Sequence, residues 1–375
     1  MSETMEYQCP NCGGALYFDS DLQKMKCPYC ESVYEMEQFR KMDEDLNEKN
    51  EKNEKNEKNE RGEEDHSDNS GYSGYGWREE ELRGMRVYSC QSCGAEIIGD
   101  ETLAAATCPY CGNQVVVKGN FSGDLRPDYV IPFRLKKEAA LKRLQDHLKN
   151  KKLLPKVFQD QHHIEEIKAI YVPYWLFDAR ADADMHYDAS RLTRTWRDRD
   201  YQYQEISHYD ITRKGSMDFH YVPVDGSSKM PDDLMESLEP FDMKDAVDFQ
   251  TAYLAGYLAD RYDVTQEESI ARVKQRVHSS VCTFFENSVR GYDTVRFRQG
   301  DVQIRQKDVK YALFPVWILN TSWNGGTYTF AMNGQTGRFI GNLPVDWKTF
   351  WFKVLQRTVL YGVIAGLAAF LLLFG

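Results

Sequence analysis

Four Cys-x-x-Cys pairs are the residues of this chain most suited to chemistry, and they hold eight of its nine cysteines. The second set of two pairs follows the first at a constant offset of 81 residues, which is an internal repeat. The two predicted ligand sets are Cys9, Cys12, Cys27 and Cys30, and Cys90, Cys93, Cys108 and Cys111.

Each set is typical of a zinc ribbon, because two Cys-x-x-Cys knuckles joined by a hairpin complete the tetrahedral thiolate shell of a structural Zn²⁺ ion. Four thiolates leave no open position for substrate or water, so the sequence predicts two structural zinc ions and no catalytic metal. A disulfide framework is disfavoured because the N-terminus has no secretory signal. A thioredoxin-like redox pair is disfavoured because four motifs recur in matched register.

The residue after the second ligand of each knuckle also has a predicted role. Glycine stands there in three knuckles and suits a backbone that needs positive φ, whereas Glu31 replaces it in the fourth. The ninth cysteine, Cys282, lies in an apolar run and is interpreted as a small buried side chain.

Length and charge patterning predict several units in the 375-residue chain. Glu-Lys-Asn repeats from Glu48 to Asn59 cannot bury a core and predict a flexible spacer. The predicted units are a first zinc ribbon at 1–40, a low-complexity linker at 41–86, a second zinc ribbon at 87–118, an α+β body at 128–345, and a collar with a transmembrane helix at 346–375. Each ribbon is expected to unfold on its own when its metal is lost.

Two helices are predicted in the body. Glu138 to Lys149 has an amphipathic pattern, and the capping-box sequence from Thr265 to Glu268 opens a helix that runs to about Asn287. The buried stripe of that second helix is predicted to be Ile270, Val273, Val277, Val281 and Phe284.

Alternating aromatic and β-branched residues predict the strands, and Asn333-Gly334 indicates a hairpin between the last two. The candidate strands are Tyr171 to Tyr187, Tyr201 to Thr212, Thr294 to Ile304, Val309 to Thr321, Thr327 to Asn333 and Arg338 to Gly341. The predicted fold class is multidomain, with two small four-cysteine zinc ribbons, an α+β body with a largely antiparallel sheet, and one C-terminal transmembrane helix.

A fainter repeat lies inside the body. Tyr171 to Asp178 and Phe314 to Asn320 align at an offset of 142, which matches Trp175 with Trp317. The match indicates either two related half-domains or two similar sheet strands, each opened by a proline.

The last segment, Thr358 to Gly375, carries no charge and is about as long as a bilayer core is thick. Aromatic and basic residues precede it, as at a cytoplasmic interface. The sequence therefore predicts a single-pass protein of the cell membrane with the bulk of the chain in the cytoplasm. Gly362 and Gly366 have the small-residue spacing of helix dimers and indicate a homodimer.

Enzyme signatures such as phosphate-binding loops and metalloprotease motifs are absent, so no catalytic residue and no bound organic cofactor are predicted. Alternation places Asp182, Asp184, His186 and Asp188 on one face of a strand. This face either binds a divalent cation or is simply the solvent-exposed side of the strand. Arginines around Trp196 suit either nucleic-acid contact or a surface strand, and the surface strand is preferred because Asp198 and Asp200 interrupt the charge.

Several segments carry a family resemblance, namely IPF at 131–133, YVPYWLFD at 171–178, FPVWILN at 314–320 and FAMNGQTGRFIGNLPV at 330–345. With the ribbons and the hydrophobic tail, they resemble bacterial membrane-anchored proteins with zinc ribbons of the transcription-factor-IIB type, over nearly the whole chain. Such proteins are often labelled relatives of the primosomal helicase, yet this chain lacks the nucleotide-binding motif that a helicase needs.

Relatives in Bacillus-like Firmicutes are similar to membrane components encoded beside phage-shock-type and SPFH-domain proteins. The resemblance implies a role in recruiting envelope-stress factors to the membrane. It carries over the metal role of the eight cysteines and supplies no catalytic residues.

The leading functional hypothesis is a non-enzymatic scaffold or adaptor that recruits cytosolic proteins to the membrane through its zinc ribbons. The alternative is a membrane-tethered nucleic-acid-binding protein. The net charge of −11 and the scarcity of basic residues in the ribbons disfavour nucleic acid as a partner.

Overall fold

A computed structural model describes most of the chain outside the predicted linker. The described residues are 7–39, 77, 85–100, 107–120, 125–149, 151–160, 164, 166–341 and 343–374. The Glu-Lys-Asn repeats and most of the linker predicted at 41–86 lie outside them.

Short strands form the ribbons, and the body combines similarly short strands with others of up to 30 residues. The strands are β1 (Tyr17–Asp19), β2 (Lys24–Lys26), β3 (Val33–Tyr34), β4 (Met85–Ser89), β5 (Glu96–Asp100), β6 (Val116–Asn120), β7 (Tyr129–Val130), β8 (Lys168–Arg197), β9 (Gln202–Asp225), β10 (Val247–Asp248), β11 (Leu258–Asp260), β12 (Thr294–Trp323), β13 (Gly326–Asn333) and β14 (Phe339–Gly341). The helices are α1 (Lys137–Lys149), α2 (Asp232–Ser237), α3 (Gln266–Ser288) and α4 (Trp347–Phe374).

Two 30-residue strands, β8 and β12, form the centre of the body and pair antiparallel from Lys168↔Ile318 to Ser190↔Thr294. Strand β9 pairs antiparallel with the other edge of β8. At a rise of about 3.3 Å per residue, each long strand spans roughly 100 Å. The two predicted strands at 294–304 and 309–321 are one strand, because a bulge near Gln306/Asp308 absorbs the polar interruption between them.

Helix α3 covers one face of this three-stranded arm, and its predicted capping box is confirmed. The Thr265 side chain accepts from the Glu268 amide, and the Glu268 carboxylate accepts from the Thr265 amide. The three valines of the predicted stripe are buried, but Ile270 is half-buried and the adjacent Ser269 is buried in its place. Phe284 is wrong, because it is 56% exposed and its neighbour Phe285 is buried. The buried side chains follow strict i+4 spacing, which continues from Val281 to Phe285.

The order β-α-β-β occurs twice in the body, first as β7-α1-β8-β9 and then as β11-α3-β12-β13. Strand β7 runs parallel to β12, and β11 runs parallel to β8, so each unit inserts its first strand beside the other unit's long strand. The segments of the 142-residue repeat lie directly opposite each other, with Val172 paired to Phe314.

Equivalent hydrogen bonds support the interpretation of two related halves. The Pro173 carbonyl accepts from the Gly226 amide at 2.9 Å, and the Pro315 carbonyl accepts from the Gly334 amide at 2.8 Å. The indole of Trp175 donates to the Val264 carbonyl, as that of Trp317 donates to the Leu135 carbonyl. Two merely similar strands would not share the contacts of their surrounding loops.

The second ribbon is continuous with the body sheet. Its strand β4 lies between β5 and β6, and β5 pairs antiparallel with β11 of the body, as in Ala259↔Ile98. The first ribbon forms a separate three-stranded sheet of β1, β2 and β3. The predicted α+β body with a largely antiparallel sheet is confirmed, since only the two pairings of β7 with β12 and β11 with β8 are parallel among the described strands.

Among the described residues, no helix combines the length and the apolar character needed to cross a membrane. Helix α4 carries Lys348, Lys353 and Arg357 in its first half, and charged side chains are costly in the hydrocarbon core of a bilayer. On this finding the predicted C-terminal transmembrane helix is wrong. The predictions that depended on this helix lose their basis as well. They are the single-pass placement in the cell membrane, the membrane as a partner, and the helix dimer through Gly362 and Gly366.

Packing of α3 on the arm can be tested with two adjacent phenylalanines. Phe285→Ala should lower the free energy of unfolding by about 3–5 kcal/mol, because it leaves a cavity beside Gly215 of β9. Phe284→Ala, in the next and exposed position, should change it by about 0.5 kcal/mol or less. Urea unfolding monitored by circular dichroism measures both, and equal losses would contradict the assigned helix face.

Candidate metal centres

Both predicted ligand sets converge. The sulfur atoms of Cys9, Cys12, Cys27 and Cys30 all lie within 4.8 Å of one another, as do those of Cys90, Cys93, Cys108 and Cys111. A tetrahedral Zn²⁺ ion with Zn–S bonds of about 2.3 Å needs sulfur separations of about 3.8 Å. The closest pairs are 3.4 Å apart in the first set and 3.4 and 3.6 Å apart in the second, so both sets fit a metal ion, consistent with zinc.

The knuckle backbones explain how the chain turns its thiols inward. The Gly13 amide donates to the Cys9 carbonyl at 2.8 Å, and the Gly94 amide does the same to the Cys90 carbonyl. The residue after the second ligand has positive φ in all four knuckles, at 72° in Gly13, 70° in Gly94, 75° in Gly112 and 59° in Glu31. The predicted role of this position is therefore confirmed, and Glu31 adopts it at a steric cost that glycine avoids.

At one sulfur of each set, hydrogen bonds favour the thiolate form that metal binding requires, whereas the pKa of another thiol of each set, Cys12 and Cys108, is raised. Burial opposes ionisation of Cys9, but hydrogen bonds from the Tyr34 hydroxyl and the Asn11 amide outweigh it and lower the pKa of this thiol to about 6. At Cys111, burial is likewise outweighed, first by the Asn113 amide, and the pKa falls to about 7. Each site therefore contains a sulfur that ionises readily near neutral pH.

The first ribbon is attached to the body by contacts from its hairpin. The Phe18 amide donates to the Ala255 carbonyl at 3.2 Å, and the Gln23 side chain donates to the Phe133 carbonyl at 2.8 Å. Lys136 forms an ion pair with buried Asp19 at 3.0 Å, and the hydrogen bond from this lysine is the main reason that the pKa of Asp19 is lowered despite burial. A further contact joins the hydroxyls of Tyr7, just before the first knuckle, and Thr251 at 2.5 Å. None of these contacts involves Tyr29 of the second knuckle.

The second ribbon is attached through a knuckle. The Tyr110 hydroxyl donates to the Asp260 carboxylate at 2.5 Å, and the Asn320 side chain donates to the neighbouring Pro109 carbonyl. Lys168 donates to the Thr107 carbonyl at 2.6 Å. Tyr110 is 8% exposed, whereas Tyr29, which occupies the same position in the first ribbon, is 76% exposed. The repeat therefore places one knuckle tyrosine inside the body and the other in solvent.

The acidic side chains of β8 form ion pairs and hydrogen bonds with neighbouring side chains, and they do not converge on a common point as metal ligands would. Asp182 contacts Arg305 and accepts from Ser216, while Asp184 contacts Lys214 at 2.7 Å and His186 at 3.2 Å. Within the described residues, the groups of three or more His, Cys, Asp or Glu side chains placed to hold a metal are the two cysteine sets. The solvated-face interpretation of this strand therefore fits the structure better than a cation site.

The arginine-rich segment lies at the end of the arm. Trp196 stacks on Tyr203 with ring centroids 5.5 Å apart, and the Arg194 guanidinium lies 5.6 Å from the indole centre. This is the surface strand that the sequence predicts. Cys282, predicted to be buried, is half-buried beside His278, at a sulfur–Nδ1 distance of 3.6 Å.

Sequence reasoning missed a buried polar cluster next to the second ribbon. Asp225 and Asp260 are 2% and 1% exposed, and Ser227 hydrogen-bonds to both. Each acid ends a strand and looks like an ordinary surface residue in the sequence. Only the structure shows that Asp260 occupies the position of apolar Ile131 in the other half, at an offset of 129 residues.

Comparison with known proteins finds a relative that matches most of the chain. The chain is 30% identical over 308 residues to YdjG of Bacillus subtilis (strain 168), described as an uncharacterized protein, and the match covers 69% of this chain and 90% of that protein. No family model and no solved structure matches the chain.

Metal content tests both centres. The purified chain should contain two zinc ions, and Cys12→Ser should reduce the count to one, because three thiolates and a hydroxyl hold the ion poorly. Cys282→Ser is the matched control and should keep two, since Cys282 belongs to neither set. Elemental analysis under reducing conditions measures all three proteins, and an unchanged count in Cys12→Ser would contradict the assignment.

Proposed function

This chain belongs to the family of YdjG, and we propose that it is a non-enzymatic zinc-ribbon adaptor that binds a partner protein through the exposed knuckle of its first ribbon. The observation that carries the proposal is the contrast between Tyr29 in solvent and Tyr110 in the body interface. The finer resemblance to proteins encoded beside phage-shock-type and SPFH-domain proteins is compatible with an adaptor and does not identify its partner.

The chemistry of the metal centres favours binding over catalysis. Four cysteine thiolates close the coordination shell of each ion, which leaves no site to polarise a substrate or activate water. Closed zinc sites stabilise small units that present a surface, and the first ribbon has such a surface.

The second ribbon indicates what kind of contact the first could make. Tyr110 is inserted among apolar side chains of the body, and its hydroxyl donates to a buried carboxylate. Tyr29 has the same flanking sequence, Cys-Pro-Tyr-Cys, and its ring lies across Gly14 with its edge exposed. The expected partner surface is therefore an apolar cleft with a hydrogen-bond acceptor at its base.

Charge argues against phosphate as the ligand of this surface. Lys24 is paired with Glu35, and Lys26 is the other basic residue of the described first ribbon, which also contains five acidic residues. Nucleic-acid binding requires a cationic surface that this ribbon does not supply.

Tyr29→Ala tests the proposal directly. The variant should retain two zinc ions and the unfolding midpoint of the wild type, yet lose its partner, because truncating an exposed anchor side chain costs about 2 kcal/mol or more at an interface while leaving the free protein intact. Affinity purification of the chain from its native cells, with quantitative mass spectrometry of wild type and variant, measures the loss.

Two controls make the outcome specific. Leu22→Ala changes another exposed apolar residue of the same ribbon, away from the knuckles, and should keep the partner. A photo-crosslinking residue at position 29 should join the chain to the same protein that the purification recovers. Partner recovery unchanged in Tyr29→Ala, or nucleic acid recovered in place of protein, would contradict the proposal.

A further inference from the structure

A buried pocket beside the second ribbon holds more oxygen atoms than it has hydrogen-bond donors for. Asp225 ends β9, Asp260 ends β11, and Tyr174 lies on β8 directly opposite Asp225. All three side chains are at most 2% exposed. The Ser227 amide donates to Asp225 Oδ1 at 3.1 Å, and the Ser227 hydroxyl donates to Asp260 Oδ2 at 2.6 Å. One residue thus bridges the two carboxylates.

The remaining oxygens of the pocket have no hydrogen-bond partner among the described residues. They are Asp225 Oδ2, Asp260 Oδ1 and the hydroxyl of Tyr174. A buried carboxylate oxygen without a partner is costly, and two such carboxylates also repel each other. The pocket therefore needs positive charge that the described hydrogen bonds do not supply.

Nearby cations are already paired with other acids. Lys229 contacts Asp263 at 2.9 Å, and Arg272 contacts Asp232 at 2.7 Å and Glu236 at 2.9 Å. Each of these cations acts on one pocket carboxylate through its charge, without a hydrogen bond to it.

The other half of the body shows that the fold itself does not need these groups. The Gly226 carbonyl accepts from the amides of Asp263 and Val264, just as the Gly334 carbonyl accepts from those of Arg134 and Leu135. With the two halves superimposed by these bonds, the pocket residues have apolar or neutral counterparts. Asp225 matches Asn333, Asp260 matches Ile131, and Tyr174 matches Val316.

The counterpart of Asp225 satisfies the position without any charge. The Asn333 side chain accepts from the Gln335 amide, as Asp225 accepts from Ser227, and its NH₂ group donates to the Leu238 and Pro240 carbonyls. Where Asn333 has a donor, Asp225 has a carboxyl oxygen without a hydrogen-bond partner. Compared with the other half, this half therefore carries oxygen atoms where a nitrogen atom and two apolar side chains stand.

We propose that Asp225, Asp260 and Tyr174 bind one divalent cation of the alkaline-earth class, Ca²⁺ or Mg²⁺, at the junction of the second ribbon and the body. Such hard cations take oxygen ligands, and carboxylates supply most of them in proteins. One divalent charge neutralises both carboxylates. Because Asp260 also accepts from Tyr110, the bound ion fixes the knuckle of the second ribbon to the sheet.

The experiment titrates CaCl₂ and MgCl₂ into the full-length zinc-loaded protein at pH 8, after dialysis against metal-free buffer, with the zinc content verified as unchanged. Calorimetry should give one ion per chain for at least one of the two salts, and the melting temperature should rise and saturate. Asp225→Asn copies the residue of the equivalent position, so it should fold, and it should lose the response. Tyr174→Phe should weaken binding by about tenfold.

Asp301→Asn is the matched control, since it removes an exposed acid from β12, and it should keep the full response. The competing outcome is a pocket that holds only a proton. Burial raises the pKa of Asp260 from 3.8 to about 7 and also raises that of Asp225 well above 3.8, so protons alone would make stability fall as pH rises from about 4 through these raised values. A wild type that responds to neither salt at pH 8 would overturn the proposal, and a fall in stability that Asp225→Asn/Asp260→Asn abolishes would assign the pocket to protons.

Discussion

The antiparallel pairing of β8 with β12 is the constraint on which the rest of the structure depends. The pairing brings Val172 opposite Phe314, the equivalent residues of the two halves, so each half completes the sheet of the other. Once these strands are in register, β11 can pair only beside β8 and β7 only beside β12. A shift by one residue would turn the buried face of β8, which carries Ala181, Ala183 and Met185, away from α3 and expose it to solvent.

The way each ribbon packs on that sheet explains why its knuckle tyrosine is buried or exposed. Strand β11 offers a free edge to β5, so the second ribbon extends the sheet, and its Tyr110 knuckle enters the core. The first ribbon touches the body through its hairpin, so its Tyr29 knuckle stays exposed. Two copies of one zinc module thus serve the same chain differently, one as part of the fold and one as a surface.

The sequence predicted the metal sites well because thiolate spacing is a local property that tertiary structure does not change. It also located α3 and the main strands, since their periodicity and capping box are local. It misplaced Phe284, where neighbouring aromatic residues compete for one helix face, and it predicted a transmembrane helix that the described residues do not support. Attachment of the second ribbon through Tyr110 and the burial of Asp225 and Asp260 depend on long-range pairing, which no local pattern encodes.

The second ribbon is a structural part of the body, whereas its metal-binding motif alone predicts a unit that unfolds by itself. Hydrogen–deuterium exchange of Cys90→Ser/Cys93→Ser tests it most directly, with the amides of β11 at Leu258–Asp260 as the readout. Loss of the metal should remove the protection of these body amides together with that of β5, because β5 pairs with β11. Full protection of β11 alongside an unfolded ribbon would contradict the account.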